Sequence, residues 1–119
     1  MGASVLVVDD HPDTSLAICT LLEMEGYRAD GVGTGREALE KLLGDDYGVV
    51  ILDLVLPDIS GYEVAEALRR SAKRGVTVIA VSAKDTVDRT QFDDYLPKPF
   101  STEELLHKVR EHLLPEGAA

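Results

Sequence analysis

The chain has 119 residues, a single cysteine, and 22 Asp and Glu against 12 Lys and Arg, a formal net charge of −10. That length suits one domain around one core; the charge disfavours nucleic acid and anionic membrane as partners of this chain; and Cys19 has no internal disulfide partner, so a buried thiol in a reducing compartment is expected. A 45% hydrophobic content excludes a disordered chain, and with no signal-like start and no apolar run of membrane-spanning length the expectation is a soluble cytoplasmic protein.

Strand and helix alternate along the whole chain. Ser4 to Asp9 reads as a buried strand, with Val5-Leu6-Val7-Val8 at its centre. From about Asp13 to Glu25 a helix is expected on a buried stripe of Leu16, Cys19 and Leu22, with Ile18 beside it and Gly26 ending it. Residues 28–33 form a weaker strand whose Asp30 suits an edge. A second helix follows over Gly35 to Leu43, on Ala38, Leu39 and Leu42. Val49-Val50-Ile51-Leu52 has no polar alternation, as in a strand covered on both faces at the centre of a parallel sheet, and it ends in Asp53. A third helix is expected from Ile59 to Ala72 on Val64, Ala65 and Leu68, with Arg69, Arg70, Lys73 and Arg74 near its end, where cations complement the macrodipole. Val76 to Val81 is another unbroken strand. Residues 84–92 have only Val87 and Phe92 apolar and read as a turn or loop. Asp94 to Pro97 is a short strand, and Ser101 with Glu104 marks a capping box opening a last helix to Leu113. Pro115 onward reads as a tail or the start of a linker, leaving a core of about residues 4–114. Five strands joined by right-handed crossovers give a doubly wound α/β parallel sheet with helices on both faces.

The residues that follow the apolar strands carry the chemistry. They are Asp9-Asp10, Asp53, Ser82 and Lys98-Pro99, and in such a sheet the carboxyl ends of the strands share one edge, where ligands bind. Asp53 could instead cap the next helix, but Leu54-Val55-Leu56-Pro57 intervene before helical periodicity resumes. Carboxylates brought this close need a proton or a cation among them. Hard oxygen donors suit Mg²⁺, while Lys98 and Ser82 supply a charge and a donor to a phosphoryl group on a carboxylate, with Asp53 the natural nucleophile. Duller roles exist for each: Asp10 or Asp13 could cap the first helix, Ser82 could satisfy loop backbone, Lys98 could be a solvated edge charge, and Tyr95 a core aromatic. His11 lies beside the acidic pair but reads as a loop residue, and His107 and His112 fall on different faces of the last helix.

In order, the motifs are Val-Val-Asp9-Asp10, Asp53-x-x-x-Pro57-x-x-x-Gly61, Ser82-Ala83 and Asp94-Tyr95-Leu96-Pro97-Lys98-Pro99-Phe100. From Val5 to Leu113 the chain resembles the receiver domains of two-component response regulators. The resemblance implies a single flavodoxin-like receiver domain with strand order 2-1-3-4-5. It further implies that Asp53 accepts a phosphoryl group from a partner histidine kinase or phosphotransfer protein. Asp10 would ligate Mg²⁺ directly and Asp9 through water, with Asp53 and the Val55 backbone carbonyl as further ligands. Lys98 would pair with the phosphoryl oxygens beside a cis bond to Pro99, Ser82 would move to bond them, and Tyr95 would turn inward, making a two-state switch. Such a domain catalyses only its own phosphorylation and dephosphorylation, signals by protein contact without binding nucleic acid itself, and exists as a monomer or weak dimer.

Two departures from the family stand out. Lys98 follows Ser82 by only sixteen residues, which leaves the family's fourth helix short by roughly one and a half turns or absent, and implies an altered output face. Val55 and Lys84 occupy positions that tune hydrolysis of the acyl phosphate. An apolar Val55 and a cationic Lys84 imply slow self-dephosphorylation. The competing readings are a receiver-like interaction domain that works without phosphorylation, and a Mg²⁺-dependent phosphatase with an Asp nucleophile. The phosphatase reading lacks a second Asp at position 55 and room for a substrate-selecting cap.

Overall fold

The alternating aliphatic runs do form a parallel sheet in the computed structural model, which describes residues 3–84 and 87–115. The strands are β1 (Ser4–Val8), β2 (Arg28–Val32), β3 (Val49–Asp53), β4 (Thr77–Ser82) and β5 (Asp94–Pro97), in the order β2-β1-β3-β4-β5. β3 is buried at every position and pairs in parallel with β1 (Val5 opposite Val49) and with β4 (Val49 opposite Thr77). Because side chains alternate across a strand, each run serves two cores. Leu6, Val8, Val50, Leu52 and Ala80 pack under α2 (Gly35–Gly44) and α3 (Gly61–Arg70), while Val5, Val7, Ile51, Ile79 and Val81 pack under α1 (Pro12–Met24) and α4 (Thr102–His112). This is the doubly wound arrangement expected, with β2 on an edge.

The helix ends follow local chemistry. α1 stops in a Schellman arrangement: Tyr27 N donates to Leu22 O and Gly26 N to Glu23 O, with Gly26 at φ +94°. The Ser60–Glu63 capping box starts α3, two residues later than the apolar pattern suggested, and Ser71 ends it two residues earlier than expected. Arg69 and Arg70 in its last turn, with Lys73 and Arg74 just after, gather positive charge where β4 begins. The Ser101–Glu104 capping box opens α4 as anticipated.

The expected buried stripe of α1 is corrected. Ser15, Ile18 and Leu22 face inward, Leu16 is 68% exposed, and Cys19 is only half-buried. A Cβ on Gly31 would lie 2.4 Å from Ser15 Oγ, so the small Ser15 is what lets α1 close onto β2. Leu16, about 100° further round the helix, then points out. Partial burial, with Glu23 and Asp30 nearby, raises the Cys19 thiol above its ordinary pKa.

Between β4 and β5 the described residues contain a 3₁₀ turn, Arg89–Gln91, where the resemblance implies a fourth helix. Single side chains hold it. Tyr62 Oη accepts from Asp88 N at 3.1 Å, the Tyr62 and Phe92 rings meet at 5.2 Å, Arg69 donates to Gln91 O, and the Arg89 guanidinium lies 4.5 Å over the Tyr95 ring.

β5 is tied to α4 through Asp94, whose carboxylate accepts from Lys108 Nζ at 2.8 Å and from His112 Nε2 at 2.9 Å. Burial alone would raise the Asp94 pKa, but the Lys108 and His112 bonds and the Tyr95 N–H outweigh it and bring it down to about 2. A depressed carboxylate stabilises the fold above its unfolded pKa, and that stability is lost as pH falls through the folded value. Asp94→Asn is therefore expected to cost about 1–2 kcal/mol near neutrality. It should also flatten the loss of stability between about pH 4 and pH 2, read by urea unfolding at a series of pH values. An unchanged acid limb would show that Asp94 does not contribute it.

Candidate functional site

The carboxyl ends of β1, β3, β4 and β5 bring Asp9, Asp53, Ser82 and Lys98 to one cleft. Asp9, Asp53 and Ser82 are buried, and Asp10, the next residue, is exposed. Lys98 Nζ donates to Asp53 Oδ2 at 2.9 Å and lies 3.9 Å from Asp9 Oδ2. Burial by itself would lower the lysine pKa, but the bond and charge of Asp53, with Asp9 and Asp10 behind it, raise it, so the ammonium stays charged. The peptide bond from Lys98 to Pro99 is cis.

Asp53 does not cap a helix. Its Oδ1 accepts from Val55 N at 3.0 Å, which folds the chain over the end of β3 and leaves the Val55 side chain 62% exposed. Gly61 closes the same turn, donating to Leu54 O at 3.0 Å. Ser82 Oγ accepts from Lys84 N at 3.0 Å, so in this state it satisfies loop backbone. Tyr95 is already inward and buried, with its hydroxyl donating to Lys84 O at 3.0 Å. Val55, Ser82, Lys84 and Tyr62 border an open cleft of about 450 Å³ beside Asp53.

Two residues were missed as parts of this site. His11, read as a loop residue, is the N-cap of α1, yet its side chain makes no capping bond. Its ring Nδ1 instead lies 3.1 Å from Asp9 Oδ1 and 3.2 Å from Asp10 Oδ1. Neither Asp10 nor Asp13 caps that helix. Asp58 accepts from Gly35 N at 2.8 Å and Arg36 N at 2.9 Å, so it caps α2 from another part of the chain and anchors the loop that follows Asp53. Burial would raise the Asp58 pKa, but these backbone donors bring it down to about 2. Its partners lie more than twenty residues away in sequence, and no local pattern marks them. His11 carried a local signal, its place directly after two acidic residues.

The donor set fits a hard divalent cation: carboxylates from Asp9, Asp10 and Asp53, with a lysine held to one side and the Val55 backbone next in the turn after Asp53.

An acidic, lysine-bearing cleft at the carboxyl edge of a sheet ordered 2-1-3-4-5 defines a flavodoxin-like doubly wound fold. The family model described as the response regulator receiver domain matches residues 5–110, and the chain belongs to that family. Among curated proteins it is 38% identical over 115 residues to the transcriptional regulatory protein TcrA of Mycobacterium tuberculosis, covering 92% of this chain and 45% of TcrA. It is also 38% identical to the transcriptional regulatory protein HprR of Escherichia coli, covering 92% and 51%. The chain thus spans about half the length of the curated relatives it matches. Among solved structures, the response regulator TrrA of Thermotoga maritima in complex with Mg²⁺-BeF superposes with a TM-score of 0.84 at 36% identity, over 93% of this chain and 99% of that one. The receiver domain of sensor histidine kinase PA1611 from Pseudomonas aeruginosa, with magnesium in its active-site cleft, gives 0.83 at 28% identity over 94% and 98%.

Proposed function

We propose that the domain is a phosphoacceptor switch in which Asp53 takes a phosphoryl group from a phosphohistidine of a partner kinase or phosphotransfer protein. An Asp53 oxygen attacks phosphorus, the P–N bond breaks, and the imidazole leaves with the electron pair and regains a proton. Mg²⁺, present in the two solved structures named above, would neutralise charge on the transferring group. The residues to hold it are Asp10, Asp53 and the Val55 carbonyl, with Asp9 through water. Lys98 would pair with the phosphoryl oxygens, and Ser82 would leave Lys84 N to bond them, with Tyr95 already inward behind it. The observation that carries this reading is the Lys98–Asp53 contact at 2.9 Å inside the acidic group.

Intact mass after incubation with acetyl phosphate tests it. One Mg²⁺-dependent phosphate adduct is expected, absent in Asp53→Asn. No adduct on folded wild type would favour a phosphorylation-independent interaction domain. Val55 offers attacking water no hydrogen bond and Lys84 shields the same cleft, so the adduct should decay slowly in this assay.

The partner's approach has a suitable surface. Leu16, Met24 and Phe100 line an apolar groove between α1 and α4, next to Asp13. Leu16→Arg is expected to leave labelling by acetyl phosphate unchanged and to slow transfer from a phosphohistidine partner about tenfold or more. Equal slowing with both donors would remove the groove from partner recognition. Signalling output would use a surface other than a packed helix between β4 and β5, because the described residues there form a 3₁₀ turn. Any contact of a longer protein with nucleic acid would come from outside this acidic chain.

A further inference from the structure

His11 adds a nitrogen to the oxygen donors of the cleft. Its backbone N–H donates to Asp9 Oδ1 at 2.9 Å, and this turn carries the ring across the acidic pair. Nδ1 then sits 3.1 Å from Asp9 Oδ1 and 3.2 Å from Asp10 Oδ1, and the three ligand atoms lie within 4.8 Å of one another. Bonds of about 2.1 Å around an octahedral ion place adjacent ligands about 3 Å apart, which is the spacing between His11 Nδ1 and Asp10 Oδ1. The ring has no structural duty elsewhere, being 71% exposed and making no capping bond.

We propose that His11 Nδ1 is a further ligand at this site, beside Asp10, and shifts its choice of metal from Mg²⁺ toward first-row ions that favour imidazole. Magnesium keeps oxygen ligands and waters and gains little from a ring nitrogen. Affinity of a site with nitrogen rises from Mn²⁺ through Ni²⁺ to Cu²⁺. The other histidines do not reach the cleft: His107 pairs with Glu111 at 3.7 Å and His112 with Asp94 at 2.9 Å, both on α4. The inference rests on the metal-dependent reading above.

Pulsed electron paramagnetic resonance of bound Mn²⁺ tests it on the whole chain. Wild type is expected to show ¹⁴N modulation from a ring nitrogen that excess Mg²⁺ displaces, and His11→Asn to show none. In competition titrations the preference for Ni²⁺ over Mg²⁺ should fall about tenfold or more in His11→Asn, with Mg²⁺ affinity changed less than about twofold. Asparagine is a favoured N-cap, so the variant keeps the helix start, which a thermal melt checks. Mn²⁺ that Mg²⁺ displaces but that is held by oxygen alone, or modulation that survives in His11→Asn, overturns the role of His11 and leaves the phosphoacceptor reading intact. Mn²⁺ that neither protein binds in the absence of Mg²⁺, or that excess Mg²⁺ fails to displace, overturns the metal-dependent reading itself.

Discussion

Lys98→Met is expected to slow formation of the Asp53 phosphate adduct by about a hundredfold or more while the protein stays folded. The ammonium lies 2.9 Å from Asp53 and 3.9 Å from Asp9, at the end of a short strand. It needs no reorganisation to meet the charge of an incoming phosphoryl group, and preorganised charge in a partly buried site is where such catalysis gains most. Methionine keeps much of the side-chain volume and removes only the charge. Lys98→Arg should restore little, because a planar guanidinium cannot occupy the place of a compact ammonium. The measurement is the initial rate of adduct formation with acetyl phosphate at saturating Mg²⁺. A rate within about threefold of wild type would mean that the lysine acts after phosphorylation rather than in it.

The second large effect belongs to a residue with no side chain. A Cβ on Gly61 would lie 2.6 Å from the Asp53 carbonyl oxygen and 2.8 Å from Leu54 Cα, both backbone atoms that cannot rotate away. Gly61→Ala is therefore expected to cost about 3 kcal/mol, the upper end of overpacking penalties. Because the clash falls on the proposed phosphoacceptor, adduct formation should slow as well, by up to about a hundredfold for a shift near 1 Å. Gly44→Ala is the control, since nothing lies within 4 Å of its Cβ position; it should leave stability and rate near wild type. Urea unfolding and the mass assay together read both effects. Equal behaviour of the two variants would show that the turn relaxes without consequence.

These expectations rest on features that differ in how visible they were in the sequence. The strands were legible because unbroken aliphatic runs suit burial on both faces, and their ends located Asp9, Asp53, Ser82 and Lys98 with no further information. The short turn that stands before β5 among the described residues was legible as well, from the short interval between Ser82 and Lys98. The inward face of α1 was not: apolar periodicity favoured Leu16, while the close approach to Gly31 favoured the small Ser15, and that contact spans two elements. Asp58 escaped for the same reason, since its partners Gly35 and Arg36 belong to another helix. The Tyr95 hydroxyl bonded to Lys84 O and the Ser82 hydroxyl bonded to Lys84 N depend on side-chain orientation, which spacing alone does not fix.

The cations at the end of α3 have a consequence at longer range. Asp9, Asp10, Asp53 and Asp58 stand at the carboxyl edge of the sheet, while Arg69, Arg70, Lys73 and Arg74 gather at the opposite end of α3. A ten-residue helix is about 15 Å long, so the two groups make the domain an electric dipole more extended than the Debye length of about 8 Å at physiological salt. Such a molecule turns its acidic mouth toward a positive surface before any contact forms. Converting a carboxylate to an acyl phosphate adds about one more negative charge at that end. The modified and unmodified domains then differ in how they are steered as well as in what they touch.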